Sequence, residues 1–235
     1  MSQTPPYQVT NPATGEIVET FPFATDAEVE AALAGSQAAY ESWRAVPVGE
    51  RAAIVRRIGE LFAERADELG ALITTEMGKA PEEAAGEAGF CAEIFGYYAD
   101  NGPGLLADQE LPGHPGGRIE SLPVGAILGV MPWNYPYYQV ARFAAPNLVA
   151  GNTVILKHAE NCPTAALAIA QLFSDAGVPE GVYTNLFATH EQVAAMIADK
   201  RVRGISLTGS ERAGAAVAET AGRHLKKVVL ELGGS

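Results

Sequence analysis

From Val124 to Leu232 the chain alternates short apolar runs, many of them β-branched, with segments of helical period. No other feature restricts the fold as much. Val124 to Val130 reads as a strand, Pro136 to Ala150 as a helix, Thr153 to Leu156 as a strand and Pro163 to Ala176 as a helix. Then come a strand at Val182 to Phe187, a helix at Glu191 to Ala198, a strand at Gly204 to Leu207, a helix at Glu211 to Gly222 and a strand at Lys227 to Leu232. Strands separated by such helices make βαβ units, so the expected class is α/β with a parallel sheet and flanking helices. The strand ends near Trp133, Lys157, Leu207 and Glu231 then share one edge, where such sheets bind ligands.

Ahead of this core the grammar differs. Residues 24 to 101 read as successive helices. Thr25-Asp26-Ala27-Glu28 has capping-box spacing, and further helices are expected from Val48, over Asp67 to Met77 and over Pro81 to Ala99. Asn11 to Glu16 is a turn between two extended runs, hence a hairpin or arm. Asn101 to Gly104 and Leu111 to Gly117 are expected as loop. The division is an arm at 1–23, a helical part with its connecting loop at 24–117, and a parallel α/β core at 118–235.

Lys plus Arg is 16 against 28 Asp plus Glu, a net charge of −12, which leaves no electrostatic footprint for nucleic acid. Two cysteines, Cys91 and Cys162, make no disulfide framework and fit a reducing compartment. Met1 to Gln8 carries no charged side chain, against a presequence, and the apolar stretch Val124 to Trp133 is too short for a bilayer. A cytoplasmic protein without membrane or nucleic-acid partners is expected.

Familiar site motifs fail. Gly102-Pro103-Gly104-Leu105-Leu106-Ala107 has dinucleotide-loop letters but follows a helix, and Gly209 with Gly214 has P-loop spacing but Ala215 where a lysine is needed. No G-x-S-x-G elbow occurs, and His114, His158, His190 and His224 lack metal-ligand spacing, so no metal is expected.

Three segments put polar residues where strands end. In Met131-Pro132-Trp133-Asn134-Tyr135-Pro136, Asn134 can aim a side-chain N–H at a developing oxyanion, or simply cap the next helix. In Leu156-Lys157-His158-Ala159-Glu160, a strand delivers Lys157, and Glu160 can bind a ribose 2′-hydroxyl or form an ordinary surface ion pair. In Leu207-Thr208-Gly209-Ser210, a helix start can hold phosphate, or Ser210 can serve only as its cap. Asn134, Tyr138 and Arg142 are spaced i, i+4, i+8, which sets them on one helical stripe. Arg142 there can pair with a substrate carboxylate or with neighbouring protein groups.

Taken in this order, and with Leu230-Glu231-Leu232-Gly233-Gly234 at the end, the segments resemble the aldehyde dehydrogenase superfamily. The likeness starts at Asn11-Pro12-Ala13-Thr14-Gly15 and includes Glu76-Met77-Gly78-Lys79, so it spans essentially the whole chain. Lys157-His158-Ala159-Glu160 and the Leu-Glu-Leu-Gly-Gly-Ser ending look most like the succinate-semialdehyde dehydrogenase branch. The resemblance implies a Rossmann-like cofactor domain without the usual glycine fingerprint. It implies Asn134 as oxyanion donor and Glu231 as general base, with a pKa raised by burial. It implies Met131, Trp133, Lys157, Glu160, Gly209, Ser210 and Leu232 around NAD, with NADP also possible, and Tyr138 and Arg142 near the substrate. The loop Ala188-Thr189-His190-Glu191 departs from the family in lacking a glycine.

The chemistry so implied is oxidation of an aldehyde, an aldehyde acid such as succinate semialdehyde, through a cysteine thioester that water then opens. Cys91 lies mid-helix and Cys162 at the adenosine end, so the nucleophile is expected outside this chain, which reads as the amino-terminal half of a homodimeric or homotetrameric enzyme. Two other readings stay open: a non-catalytic nucleotide-binding or subunit-interaction module, and a related reductase of acyl-phosphates or acyl-CoA.

Overall fold

The computed structural model describes residues 7–233. Residues 1–6 of the expected arm, and Gly234 and Ser235 of the terminal motif, lie outside them. The chain opens with an antiparallel hairpin, β1 (Tyr7–Thr10) and β2 (Ile17–Phe21). Its turn closes through the Gly15 N–H on the Asn11 carbonyl at 2.7 Å, while the Asn11 side chain accepts from the Ala13 N–H.

Four helices follow: α1 (Asp26–Trp43), α2 (Val48–Glu64), α3 (Ala66–Met77) and α4 (Pro81–Leu105). The capping box is made, with the Glu28 N–H donating to Thr25 Oγ1 and the Thr25 N–H to Glu28 Oε2. Helix α4 runs through the segment expected as loop. Pro103 removes only one main-chain donor near the helix end, and Gly102 lets α4 press against the helix that carries Val149. A Cβ on Gly102 would stand 2.5 Å from Val149 Cγ1. The following loop holds a small ladder, β3 (Gln109–Glu110) with β4 (Arg118–Ile119), that the glycine- and proline-rich sequence does not advertise.

The core then unrolls as β5 (Ala126–Val130), α5 (Tyr138–Ala150), β6 (Thr153–Lys157), α6 (Pro163–Asp175), β7 (Tyr183–Asn185), α7 (His190–Ala198), β8 (Val202–Gly209), α8 (Glu211–Arg223) and β9 (Lys227–Leu232). All five strands are parallel, in the order β7-β6-β5-β8-β9. Strand β5 starts two residues later than expected. The Val124 and Gly125 N–H groups donate to Asn152 Oδ1 rather than to the sheet, and Gly125 holds a positive φ. The next helix also starts two residues late, at Tyr138.

Near-continuous apolar runs in β5 and β6 have their explanation in two cores. Ile127, Val154 and Leu156 face α2, α4, α5 and α6 with Trp43, Phe62, Phe95 and Phe173, whereas Leu128 and Ile155 face α1, α7 and α8 with Val29, Val193, Ile197 and Val217. Each fully buried side chain of this size contributes roughly 1.5–3 kcal/mol, so neither face can be polar. Trp43 also donates its indole N–H to the Leu148 carbonyl at 3.1 Å, tying the helical layer to α5. No helix among the described residues is long and apolar enough to cross a membrane.

Candidate active site

The strand order reverses beside β5. Successive strands add outward through β6 and β7 on one side, then through β8 and β9 on the other. The carboxyl ends of β5 and β8 therefore diverge into a crevice, the place where open α/β sheets take ligands. A cleft of about 690 Å³ opens there, lined by Trp133, Asn134, Tyr138, Gln139, Arg142, Thr208, Gly209, Ser210, Glu231 and Leu232 among others.

Asn134 is exposed on a bend, four residues ahead of the first turn of α5, so it neither caps that helix nor shares a helical stripe with Tyr138 and Arg142. All three still line the one cleft. The helix starts late because a carboxylate from another layer caps it: buried Glu87 on α4 accepts from the Tyr137 and Tyr138 N–H groups at 2.8 and 3.0 Å. The other Glu87 oxygen pairs with Lys79, whose ammonium lies 3.6 Å from the centroid of the Tyr135 ring. His158, buried after β6, contacts the Pro136 carbonyl at 2.9 Å through Nε2 and accepts the Ala159 N–H through Nδ1. Burial pushes His158 down to about 4, so the ring is neutral, and its two nitrogens are both engaged with backbone. The turn bearing Asn134 is thus gripped on both sides.

Arg142 reaches across to the opposite wall, donating to Thr208 Oγ1 at 2.6 Å and to Gln139 Oε1 at 2.9 Å and pairing with Glu231 Oε1 at 3.3 Å. Of the two partners open to it from sequence, neighbouring protein groups are the ones it has here. Glu231 is not buried. Its side chain is 52% exposed, because β9 is the sheet edge and its outer side carries no cover among the described residues. The burial expected of it from the sequence is therefore not met among the described residues.

At the other end, Lys157 is only 4% exposed and pairs with Glu160 at 2.5 Å. This is not a solvated surface pair. Burial holds the Lys157 ammonium below its ordinary value, against the pull of Glu160. Burial pushes the Glu160 carboxyl up, but the charge and hydrogen bond of Lys157 outweigh it and leave Glu160 below its usual range. The arm closes over this end, with the Gln8 N–H on the Glu160 carbonyl at 2.9 Å and Tyr7 Oη bonded to the His158 and Ala188 carbonyls. Beside Lys157 a second cavity of about 390 Å³ lies between α7 and α8, walled by Val193, Ile197, Ala213 and Val217. His190 and Arg212 also line it.

These features fit a dinucleotide. Ser210 caps α8 by accepting from the Ala213 N–H at 3.2 Å, yet its own O–H remains free to donate. A Cβ on Gly209 would meet only Leu207 Cδ2, at an ordinary 3.7 Å, so the protein's own packing does not require glycine at this point of the cleft. Gly214 lies where α8 closes on β9: a Cβ there would stand 2.5 Å from Leu232 Cδ2, so the half-exposed Leu232 side chain would have to shift. Met131 is buried behind the cleft wall, at the end of β5. Cys91 and Cys162 are buried and unpaired, and burial raises both thiols.

Comparison with known proteins decides the family. The model of the aldehyde dehydrogenase family matches residues 1–235. The chain belongs to the aldehyde dehydrogenase family. A succinate-semialdehyde dehydrogenase [NADP(+)] of Deinococcus radiodurans is 57% identical over 231 residues, which make up 98% of this chain and 48% of that protein. A succinate semialdehyde dehydrogenase [NAD(P)+] of Escherichia coli is 44% identical, over 96% of this chain and 49% of its own length. The structure of succinic semialdehyde dehydrogenase from Streptococcus pyogenes, in complex with NADP+, superposes with a TM-score of 0.94 at 42% identity, covering 97% of this chain and 50% of that one. The chain spans about half the length of the curated relatives it matches.

The expectations missed several residues that line or brace these cavities. Val193, Ile197, Ala213 and Val217 carry only the signal of ordinary helix faces, and Arg212 and His190 only that of helix-start surface residues. Lys79 was visible within the Glu-Met-Gly-Lys motif, but nothing local links it to Glu87 eight residues on.

Proposed function

We propose that this protein serves as an NAD(P)-dependent dehydrogenase of succinate semialdehyde or a similar aldehyde acid. The observation that carries the reading is the convergence of Asn134, Arg142, Ser210 and Glu231 on one cleft at the strand-order reversal, with an apolar-walled cavity beside Lys157 and Glu160. The names of the relatives above support the substrate class and both nicotinamides.

When bound, the dinucleotide supplies the hydride acceptor. The apolar walls of α7 and α8 hold its adenine, Glu160 and Lys157 its ribose, and the start of α8 with Ser210 its pyrophosphate. Trp133 and Leu232 flank the same path, and Met131, buried in the core, backs the wall after β5. In the other half of the cleft a thiolate from beyond these residues adds to the aldehyde carbon, and negative charge builds on the carbonyl oxygen. Asn134 donates its side-chain N–H to that oxygen. Loss of hydride from the aldehyde carbon to the bound dinucleotide would leave a thioester; Glu231 then takes a proton from the water that opens it, releasing the acid and the thiol. Arg142, shaped to bind carboxylates, holds the far end of the aldehyde acid, which releases Glu231 from its resting partner.

The test uses the full-length protein, with succinate semialdehyde and either nicotinamide, followed by the absorbance of the reduced cofactor. Turnover is expected, and Asn134→Ala should lower kcat by about 10²–10³-fold. No turnover with either cofactor, or an unchanged kcat in Asn134→Ala, overturns the reading.

A further inference from the structure

The pairing of Glu160 changes what the ribose end of the site can accept. A lone carboxylate there binds a ribose 2′-hydroxyl and repels a 2′-phosphate. Here the Glu160 charge is met at 2.5 Å by Lys157, which is held by burial with little freedom to leave, and its Oε1 also faces His190 Nε2 at 3.5 Å. The charge of buried Lys157 offsets that of the half-buried Glu160. What remains at the cavity mouth is cationic: Arg212, exposed in the first turn of α8, makes no ion pair or side-chain hydrogen bond among the described residues. A free guanidinium beside a helix amino terminus favours a doubly charged anion twice over, through its planar fork of donors and through the helix dipole.

We propose that Arg212, assisted by His190, is the specificity-determining receptor for the 2′-phosphate of an NADP-type dinucleotide, so that this site accepts NADP although Glu160 is present. The proposal rests on the dinucleotide reading above. Arg212 sets affinity for the extra phosphate alone, while the α7–α8 walls and the Lys157–Glu160 pair serve both cofactors. His190, mostly exposed at the start of α7, lines the same cavity with Nε2 3.5 Å from Glu160 Oε1, within reach to offer a ring N–H to the extra phosphate.

The probes are 2′,5′-ADP and 5′-AMP, which differ only in the 2′-phosphate, titrated calorimetrically into the full-length protein. Arg212→Ala is expected to weaken 2′,5′-ADP by about 10- to 100-fold, the scale of a lost charge-assisted contact, and to change 5′-AMP by less than about twofold. Arg212→Lys should fall between, since it keeps the charge and loses the fork. His190→Ala should weaken 2′,5′-ADP by a smaller factor and leave 5′-AMP alone. Equal losses for both ligands would make Arg212 a wall of the adenine cavity and overturn the proposal, as would no loss for either. If the wild-type protein binds neither ligand, the dinucleotide reading itself fails, and that result is distinct from a selective failure in Arg212→Ala.

Discussion

Glu87→Ala should be among the most damaging single substitutions outside the cleft. The Glu87 side chain is 1% exposed and serves three donors at once, the Tyr137 and Tyr138 N–H groups and the ammonium of Lys79. Alanine would leave that ammonium, itself 8% exposed, without a counter-charge, and would orphan two N–H groups at the start of α5. Stranding one partner of a buried pair costs about 3–5 kcal/mol, a large part of the stability of an ordinary domain. The double variant Glu87→Gln with Lys79→Met keeps one amide oxygen for the cap and removes both charges, so it should cost far less, about 1–2 kcal/mol. Urea unfolding of the full-length protein and the two variants measures both numbers, with the midpoint read against an unchanged slope. In the double variant, where the fold persists, kcat should still fall with KM little moved, because Lys79 no longer lies against Tyr135 and the turn bearing Asn134 is held on one side fewer. A loss below about 1 kcal/mol in Glu87→Ala, or a double variant as damaged as the single one, would refute the reasoning.

Two further outcomes follow from buried groups. Glu76 on α3 caps α6 by accepting from Thr164 N, Thr164 Oγ1 and Ala165 N, and burial pushes its carboxyl from 4.5 up to about 7 in spite of them. A folded value above the unfolded one means that the unfolded chain ionises first, so stability should fall as pH rises from about 4.5 to 7 and level off above, by at most about 3 kcal/mol. Glu76→Gln should flatten that slope in urea melts taken across the range; an unchanged slope would mean Glu76 is already ionised when folded. Gly214→Val would push the half-exposed Leu232 side chain aside, at the low end of the overpacking range, about 1 kcal/mol. Because α8 also forms one wall of the α7–α8 cavity, where the proposed function places the adenine, calorimetry should show weaker 5′-AMP binding; tight binding with lost stability would separate packing from the site.

The sheet was legible because its signal is local. β5 and β6 are covered on both faces, so their runs are apolar throughout, and the helices between them repeat at helical period. The mistakes fell where a distant group replaces a local rule. Helix α5 starts at Tyr138 rather than Pro136 because Glu87, some fifty residues earlier, supplies the cap. Strand β5 starts at Ala126 because Asn152 takes the N–H groups before it. Helix α4 runs on through Gly102 and Pro103 to Leu105, and there Gly102, lacking a Cβ, lets it pack directly on Val149 of α5.

By itself the sequence determined the class of fold, the alternation of strands and helices along the chain, and the short polar segments at strand ends, since each depends on the period and chemistry of neighbouring residues. Only the tertiary structure decided what those polar residues meet. It buried Lys157 and matched it to Glu160, turned Arg142 onto Glu231 and Thr208, left Glu231 exposed on an edge strand, and stood Arg212 at the mouth of the α7–α8 cavity without a counter-charge among the described residues. Charge, burial and partners are properties of contacts between segments far apart in the chain, and those contacts exist only once the sheet has assembled.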